Sequence, residues 1–119
     1  MDTQQIIREE LAFLCKEYGF EYEYISSRPE QKYVFRNQYG VFQYYCCPFE
    51  ESEFSVLYDQ TFRVVDLKLL YGKEFAKFRK NHSGIKWWFK SSSRDYWKMI
   101  ANLLRRQIAN CGTLFGLRI

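Results

Sequence analysis

The 119-residue sequence has few of the residues that carry acid–base and nucleophilic chemistry. His82 is its single histidine, so a Ser-His-Asp or Cys-His arrangement has only one candidate base. Neither GxGxxG nor GxxxxGK[ST] occurs, so the sequence does not support nucleotide binding by either of these glycine-rich loops. We therefore expect a protein that is not an enzyme, and catalysis ranks third among the functions considered.

The four cysteines also lack the spacing of a zinc site. Cys15, Cys46, Cys47 and Cys111 form no CxxC pair, and only one histidine is available to complete a ligand set. Cys46 and Cys47 are neighbours in a predicted strand, so their side chains would point to opposite faces. We expect reduced, buried thiols and neither a metal nor another cofactor.

Segments that would divide the chain or attach it to a membrane are scarce. The sequence has two prolines, six glycines and no internal repeat, and its length fits one domain, which we assign to residues 1–119. No apolar run approaches the ~20 residues of a membrane span. The first residues have no basic segment followed by an apolar one. We therefore expect a cytoplasmic protein that has no membrane partner.

Aromatic side chains, in contrast, are abundant. Ten Tyr, eleven Phe and three Trp make up 20% of the chain. A buried ring removes roughly 150–250 Å² of surface from water. The chain can therefore build a stable core without a metal or a disulfide, and intrinsic disorder is not expected.

Hydrophobic periodicity predicts an α+β fold. The pattern predicts a helix over residues 3–18 that ends at Gly19, then consecutive short strands over residues 20–66, with an acidic loop at residues 50–53. Asp66 is the predicted cap of a second helix that runs to about Asn81, with Leu70 among its core residues. We predict a mainly antiparallel four- to six-stranded sheet with an N-terminal helix and two C-terminal helices packed on it.

The last third of the chain completes this prediction. Gly84 is expected to close the second helix, and residues 85–90 to be a short extended segment. Ser92 or Ser93 would cap a third helix that buries Trp97 and Cys111 and ends at Gly112. Residues 113–119 would form a final strand.

Charge is divided between the two halves of the sequence. Residues 1–62 have five Lys or Arg against eleven Asp or Glu, a net charge of −6, whereas residues 63–119 have thirteen against three, a net charge of +10. Such an asymmetry creates a field that steers charged partners. Two candidate binding sites follow, one in each half.

The basic candidate site is centred on Trp88. In an extended segment, Trp88 would point outward between Lys86 and Lys90, and Arg94 follows at the start of the third helix. An exposed Trp between cations suits a protein-binding hot spot or a stacked nucleic-acid base. The alternative is that Trp88 packs under the third helix, as most Trp side chains are largely buried.

The acidic candidate site combines Tyr45 with Glu50, Glu51 and Glu53, which would meet a basic partner. The alternative is an acidic loop that stays in water. The basic helix residues also allow a second function, an RNA- or DNA-binding domain, against the alternative of a solvated helix face. The residues concerned are Lys73, Lys77, Arg79, Lys80, Arg105 and Arg106.

In the order of its elements the chain is similar to small bacterial immunity proteins, which bind and block a toxin domain made by the same cell type. The most distinctive residues of this likeness are Tyr33, Phe35, Asn37, Tyr39 and Gly40, with the run from Lys86 to Lys90. The resemblance implies a non-catalytic intracellular protein-binding module that blocks a toxin by occlusion. Inhibitors of nucleases are commonly acidic, and only residues 1–62 match such a target.

The Trp88 hypothesis predicts a separation of binding from stability. Replacing Trp88 by Ala should weaken binding to a toxin domain encoded by the neighbouring gene, because an exposed anchor is lost. The free energy of unfolding in urea should change by no more than about 0.5 kcal/mol. Severe destabilisation would show that Trp88 belongs to the core instead.

Overall fold

The structure, a computed structural model, describes residues 3–48, 50–81 and 93–119. It confirms the α+β prediction, with a five-stranded antiparallel sheet, helices at the N-terminus and helices after the sheet. The helices are α1 Thr3–Glu10, α2 Ala12–Tyr18, α3 Leu67–Leu70, α4 Gly72–Asn81 and α5 Arg94–Cys111. The strands of the sheet are β1 Glu21–Ser27, β2 Glu30–Asn37, β3 Gly40–Cys47, β4 Glu50–Tyr58 and β5 Thr61–Val65.

The strand order in the sheet follows the chain, because short turns join successive strands. Between β2 and β3, the side-chain oxygen of Asn37 accepts hydrogen bonds from the amides of Tyr39 at 2.9 Å and Gly40 at 3.1 Å. Between β4 and β5, Asp59 and Gln60 both have positive φ, at 51° and 61°. That backbone conformation is typical of the tight hairpin turns that match the strand twist. Each turn therefore returns the chain beside the strand it has just left.

One face of the sheet, the inner face, is covered by helices and is rich in aromatic side chains. Tyr44 and Phe54 lie on neighbouring strands of this face, and Trp97 of α5 packs against both. The Trp97 ring is fully buried and meets Tyr44 edge-to-face, with centroids 4.8 Å apart and planes at 83°. Edge-to-face pairs place a positive ring edge on a negative ring face. Trp97 thus joins the longest helix to the centre of the sheet.

Two predicted helices are each interrupted. The N-terminal helix breaks at Leu11, which leaves Leu11 and Leu14 fully buried. Asp66 caps α3 as predicted and accepts a hydrogen bond from the amide of Leu69 at 3.1 Å. The prediction that Leu70 is a core residue is wrong, because the buried side of this segment, which is interrupted at Tyr71, is formed by Leu67 and Phe75, and Leu70 lies off that side. Leu70 is 57% exposed.

Residues 50–53 are not the predicted acidic loop. They begin β4, where Glu50 pairs with Cys47 and Glu53 pairs with Tyr45. Between these two pairs, β3 has one intervening residue and β4 has two. The extra residue in β4 forms a β-bulge. Pairing with β3 satisfies the backbone that a loop would expose, and the acidic side chains are therefore displayed from a strand.

The C-terminal residues form a small hairpin and not the single predicted strand. Its strands are β6 Thr113–Leu114 and β7 Leu117–Arg118, and Phe115 between them stacks on Phe42 with centroids 6.3 Å apart. Gly116 has φ +94°, and a Cβ there would lie 2.2 Å from the Tyr58 hydroxyl. Only glycine fits this turn, which lets the hairpin close one end of the core.

Other predictions have mixed outcomes. Gly19 and Gly112 end α2 and α5 with φ of 74° and 72°, as predicted. The expectation of buried thiols is met only by Cys47: Cys15 and Cys46 are half-buried, and Cys111 is exposed at the last residue of α5, although it follows Ile108 on the same side of the helix. The expectations for Gly84, residues 85–90 and Ser92 lie outside the described residues, and Ser93 occupies the N-cap of α5.

No helix in the described ranges is long and apolar enough to cross a membrane.

The central position of Trp97 predicts a large loss of stability on truncation. Trp97→Ala should lower the free energy of unfolding in urea by about 3–5 kcal/mol, since it empties a fully packed site. Leu69→Ala is the control, because Leu69 is 81% exposed and should change stability by no more than about 0.5 kcal/mol. Equal effects of the two substitutions would contradict this view of the core.

Candidate protein-binding face

The sheet has a second face, the outer face, which points away from the described helices. Strand register places its side chains in rows across β3, β4 and β5. We call eight of these positions the outer grid. From one end to the other, its rows are Val41, Leu57 and Phe62, then Gln43, Ser55 and Val64, then Tyr45 and Glu53.

The first end of the outer grid is apolar and open to solvent. Leu57, Phe62 and Val64 are 42%, 56% and 49% exposed. Leu57 and Phe62 are directly paired across β4 and β5, and Val64 follows Phe62 on the same face of the edge strand. Adjacent exposed apolar side chains of this size are typical of an interaction surface, whereas isolated ones are ordinary.

The other end of the outer grid is acidic. Tyr45 lies opposite Glu53, and Glu30 and Glu50 act on its hydroxyl through their charge. Partial burial, together with the negative charges of Glu30 and Glu50, raises the pKa of Tyr45 to about 12. Glu30, Glu50 and Glu53 therefore place negative charge around Tyr45 at this end of the face.

A groove opens beside the acidic end, where the sheet meets α3. It has a volume of 190 Å³, and its lining includes Glu53 and Val64 of the outer grid together with Phe75 and Tyr96 of the helix layer, so it runs between the sheet and the helices. Lys68 forms an ion pair with Glu51 at 3.5 Å, which uses one of the local cations. The groove therefore gives the acidic end a concave shape as well as negative charge.

The rest of the outer face is also mainly acidic. On β1 and β2, Arg36 forms an ion pair with Glu23 at 2.8 Å, a cross-strand pair of opposite charges. Lys32 is the second cation of this face and lies opposite Tyr45. Strand alternation places five carboxylates there, from Glu21, Glu23, Glu30, Glu50 and Glu53.

The two halves of opposite charge meet each other in the helix layer. Arg94 forms ion pairs with Glu9 at 2.9 Å and Glu10 at 2.5 Å, which tie the start of α5 to α1. Arg105 pairs with Glu17 at 2.9 Å and lies over the Phe13 ring, 4.1 Å from its centroid. Much of the charge asymmetry thus serves contacts within the molecule.

Other cations of the second half are divided between paired and exposed positions. Arg106 forms an ion pair with Glu74 at 2.7 Å and lies over the Tyr71 ring. Lys73, Lys77 and Lys80 are exposed at helical spacing along α4. These three lysines are the described cations that could form a basic surface of the kind the second hypothesis requires.

The candidate residues proposed from the sequence are only partly brought together. Tyr45, Glu50 and Glu53 come together on the outer face, whereas Glu51 turns to Lys68. Arg94 lies in the ion pairs with α1. Lys86, Trp88 and Lys90 lie outside the described residues, so that site stays a prediction.

The apolar end of the outer grid was missed by the sequence argument, although the sequence contains a signal for it. If Phe54 and Val56 face the core, alternation places Leu57 outward. The same reasoning from the buried Val65 places Val64 outward. The signal is weak in the sequence because Leu57 follows the apolar Val56 and Val64 precedes the apolar Val65, so neither strand shows a clear alternation of apolar and polar residues.

Neither a metal-binding cluster among the described residues nor a match to a known protein points to a further site. Within the described ranges, no three His, Cys, Asp or Glu side chains are grouped so that they could hold a metal ion. No family model, curated protein or solved structure matches the chain. The likeness to immunity proteins therefore stays a prediction, and the outer face is a candidate site because it exposes Leu57, Phe62 and Val64 side by side.

The Arg94 ion pairs predict a specific loss of stability in acid. Hydrogen bonds from Arg94, and secondarily from Gln5, lower the pKa of Glu9 below its usual value. A lowered folded-state pKa stabilises the fold above the unfolded pKa, and this contribution is lost as the pH falls through the folded value. Between about pH 5 and about pH 3, Arg94→Gln should therefore lose less stability in urea than the wild type.

The control for this experiment is Lys98→Gln, an exposed change on the same helix, which should keep the wild-type pH dependence. An NMR titration of the Glu9 carboxyl should show its pKa returning toward the usual value in Arg94→Gln. Identical pH profiles for all three proteins would contradict the role given to Arg94.

Proposed function

We propose that this chain is a non-catalytic protein-binding module that acts by covering its partner with the outer face. The observation that carries the proposal is the exposure of Leu57, Phe62 and Val64 side by side on a sheet face that the described helices leave open. Complete burial of a fully exposed side chain of this kind contributes roughly 1.5–3 kcal/mol, and these three, which are about half exposed, would each gain about half of that. A partner that covers the three together would therefore be held by a compact apolar anchor.

The size of the outer face suits an interface of this kind. Five strands about 4.8 Å apart and about eight residues long form a face of roughly 19 by 27 Å. That is the same order as the roughly 800 Å² that each partner contributes to a standard interface. The sheet is held from behind by the aromatic core, so the face is presented without a folding step on binding.

The specific form of the proposal is an immunity protein that blocks a cognate bacterial toxin by occlusion in the cytoplasm. The resemblance in element order and the apolar patch on the outer face support it. Occlusion requires surface complementarity and no reactive group, which agrees with a site built of aliphatic, aromatic and carboxylate side chains. RNA or DNA binding is the second candidate, because Lys73, Lys77 and Lys80 are exposed together on α4.

Co-expression tests the proposal directly. The chain should restore growth to cells that express the toxin domain encoded by the neighbouring gene, and calorimetry should give a 1:1 complex of the two purified proteins. Leu57→Ser combined with Phe62→Ser should weaken that complex at least about tenfold and reduce protection, because the apolar anchor is removed.

Matched variants separate the outer face from the helix surface. Lys73→Gln combined with Lys77→Gln changes two exposed residues of α4 and should leave binding and protection unchanged. Circular dichroism should show that both double variants are folded. Protection that survives loss of Leu57 and Phe62 but fails without the two lysines would contradict the outer-face proposal and move the binding surface to α4.

A further inference from the structure

The chemistry of the outer face defines the partner more narrowly. We propose that its occupant is a protein segment with one apolar anchor and, about 14 Å further along, a lysine or arginine. The spacing follows from β4, on which Leu57 and Glu53 are four residues apart on the same face. This inference rests on the proposed function, because it assumes that the outer face is the binding surface.

The anchor position is the row formed by Val41, Leu57 and Phe62. Phe62 and Leu57 are exposed there, and their pairing across β4 and β5 makes them one continuous apolar surface. In the next row the side chain on β4 is that of Ser55, which is small and only 1% exposed and therefore does not protrude from the sheet. A segment can therefore lie along β4 from the anchor to the acidic end without meeting a protruding side chain.

The cation position is the row formed by Tyr45 and Glu53. Glu53 lines the adjoining groove, and Glu30 and Glu50 add negative charge around the Tyr45 hydroxyl. A long flexible cationic side chain fits such a place, because its stem can pack on the Tyr45 ring while its head meets the carboxylates. A carboxylate or a phosphate placed there would be repelled.

Charge also excludes a second copy of this chain as the occupant. Two outer faces packed in the same direction would bring together faces of like net charge, each with five carboxylates against the two cations Lys32 and Arg36. Packed in opposite directions, they would bury Glu53 of one copy against Leu57 and Phe62 of the other, at a high desolvation cost. A different chain with a basic rim avoids both penalties.

Selection from a peptide library tests this inference without a known partner. Random 16-residue peptides displayed on phage would be selected on the immobilised full chain, and enriched peptides would be measured in solution by fluorescence anisotropy. We expect peptides that contain an aromatic or aliphatic residue and an excess of Lys and Arg. Their affinity should fall when the salt concentration rises from about 0.05 M to about 0.5 M.

Three variants assign the contacts. Leu57→Ser with Phe62→Ser should weaken the selected peptides at least about tenfold, and Glu53→Gln should weaken them about three- to tenfold. Glu17→Gln removes one carboxylate from the helix layer and should leave the affinity unchanged. Moving the cation of a selected peptide next to its anchor should abolish the effect of Glu53→Gln.

The possible failures are distinguishable. Selected peptides that need Leu57 and Phe62 but are acidic, or are indifferent to Glu53→Gln, would overturn the inference and leave the proposed function standing. Peptides that bind the Leu57 and Phe62 variant as tightly as the wild type would contradict the proposed function itself. Self-association of the free chain through Leu57 and Phe62, measured by light scattering, would overturn the choice of a different chain as the partner.

Discussion

A sheet has two faces, and in the described residues this chain supplies helices for one of them. The inner face is closed by Trp97 and the rings around it, and the helix that carries Trp97 is held to α1 by the ion pairs of Arg94. Everything on the outer face is therefore presented by a rigid support but is not used to build the core. Side chains such as Phe62 are exposed there because no described helix packs on that face.

The division of charge along the sequence has two consequences in three dimensions. In the helix layer, cations of the second half meet carboxylates of the first, as between Arg105 and Glu17. On the outer face, Glu30, Glu50 and Glu53 have few cations beside them and remain available. Ion pairs at the surface contribute little stability individually, so the ion pairs in the helix layer serve mainly to orient the helices. The carboxylates displayed on the outer face give that face a net negative charge.

The same residues support different conclusions at the level of the sequence and of the fold. The short strands, Asp66 as a cap and the glycines that end α2 and α5 were correctly predicted, since each depends on the conformation of a few neighbouring residues. The interruptions at Leu11 and Tyr71 and the strand structure of Glu50 to Glu53 were not. Those features depend on packing and pairing with distant parts of the chain, which local propensity does not contain.

By itself, the sequence determined the class of the fold, the abundance of rings for a core and the acidic and basic halves, because composition and periodicity act through local geometry and burial. Only the tertiary structure decided which carboxylates are neutralised and which are displayed. It also decided that Leu57, Phe62 and Val64 stand together in the open, since strand register sets the side of the sheet that each residue occupies. A shift of one residue in that register would have exchanged the two faces, and with them the core and the candidate binding surface.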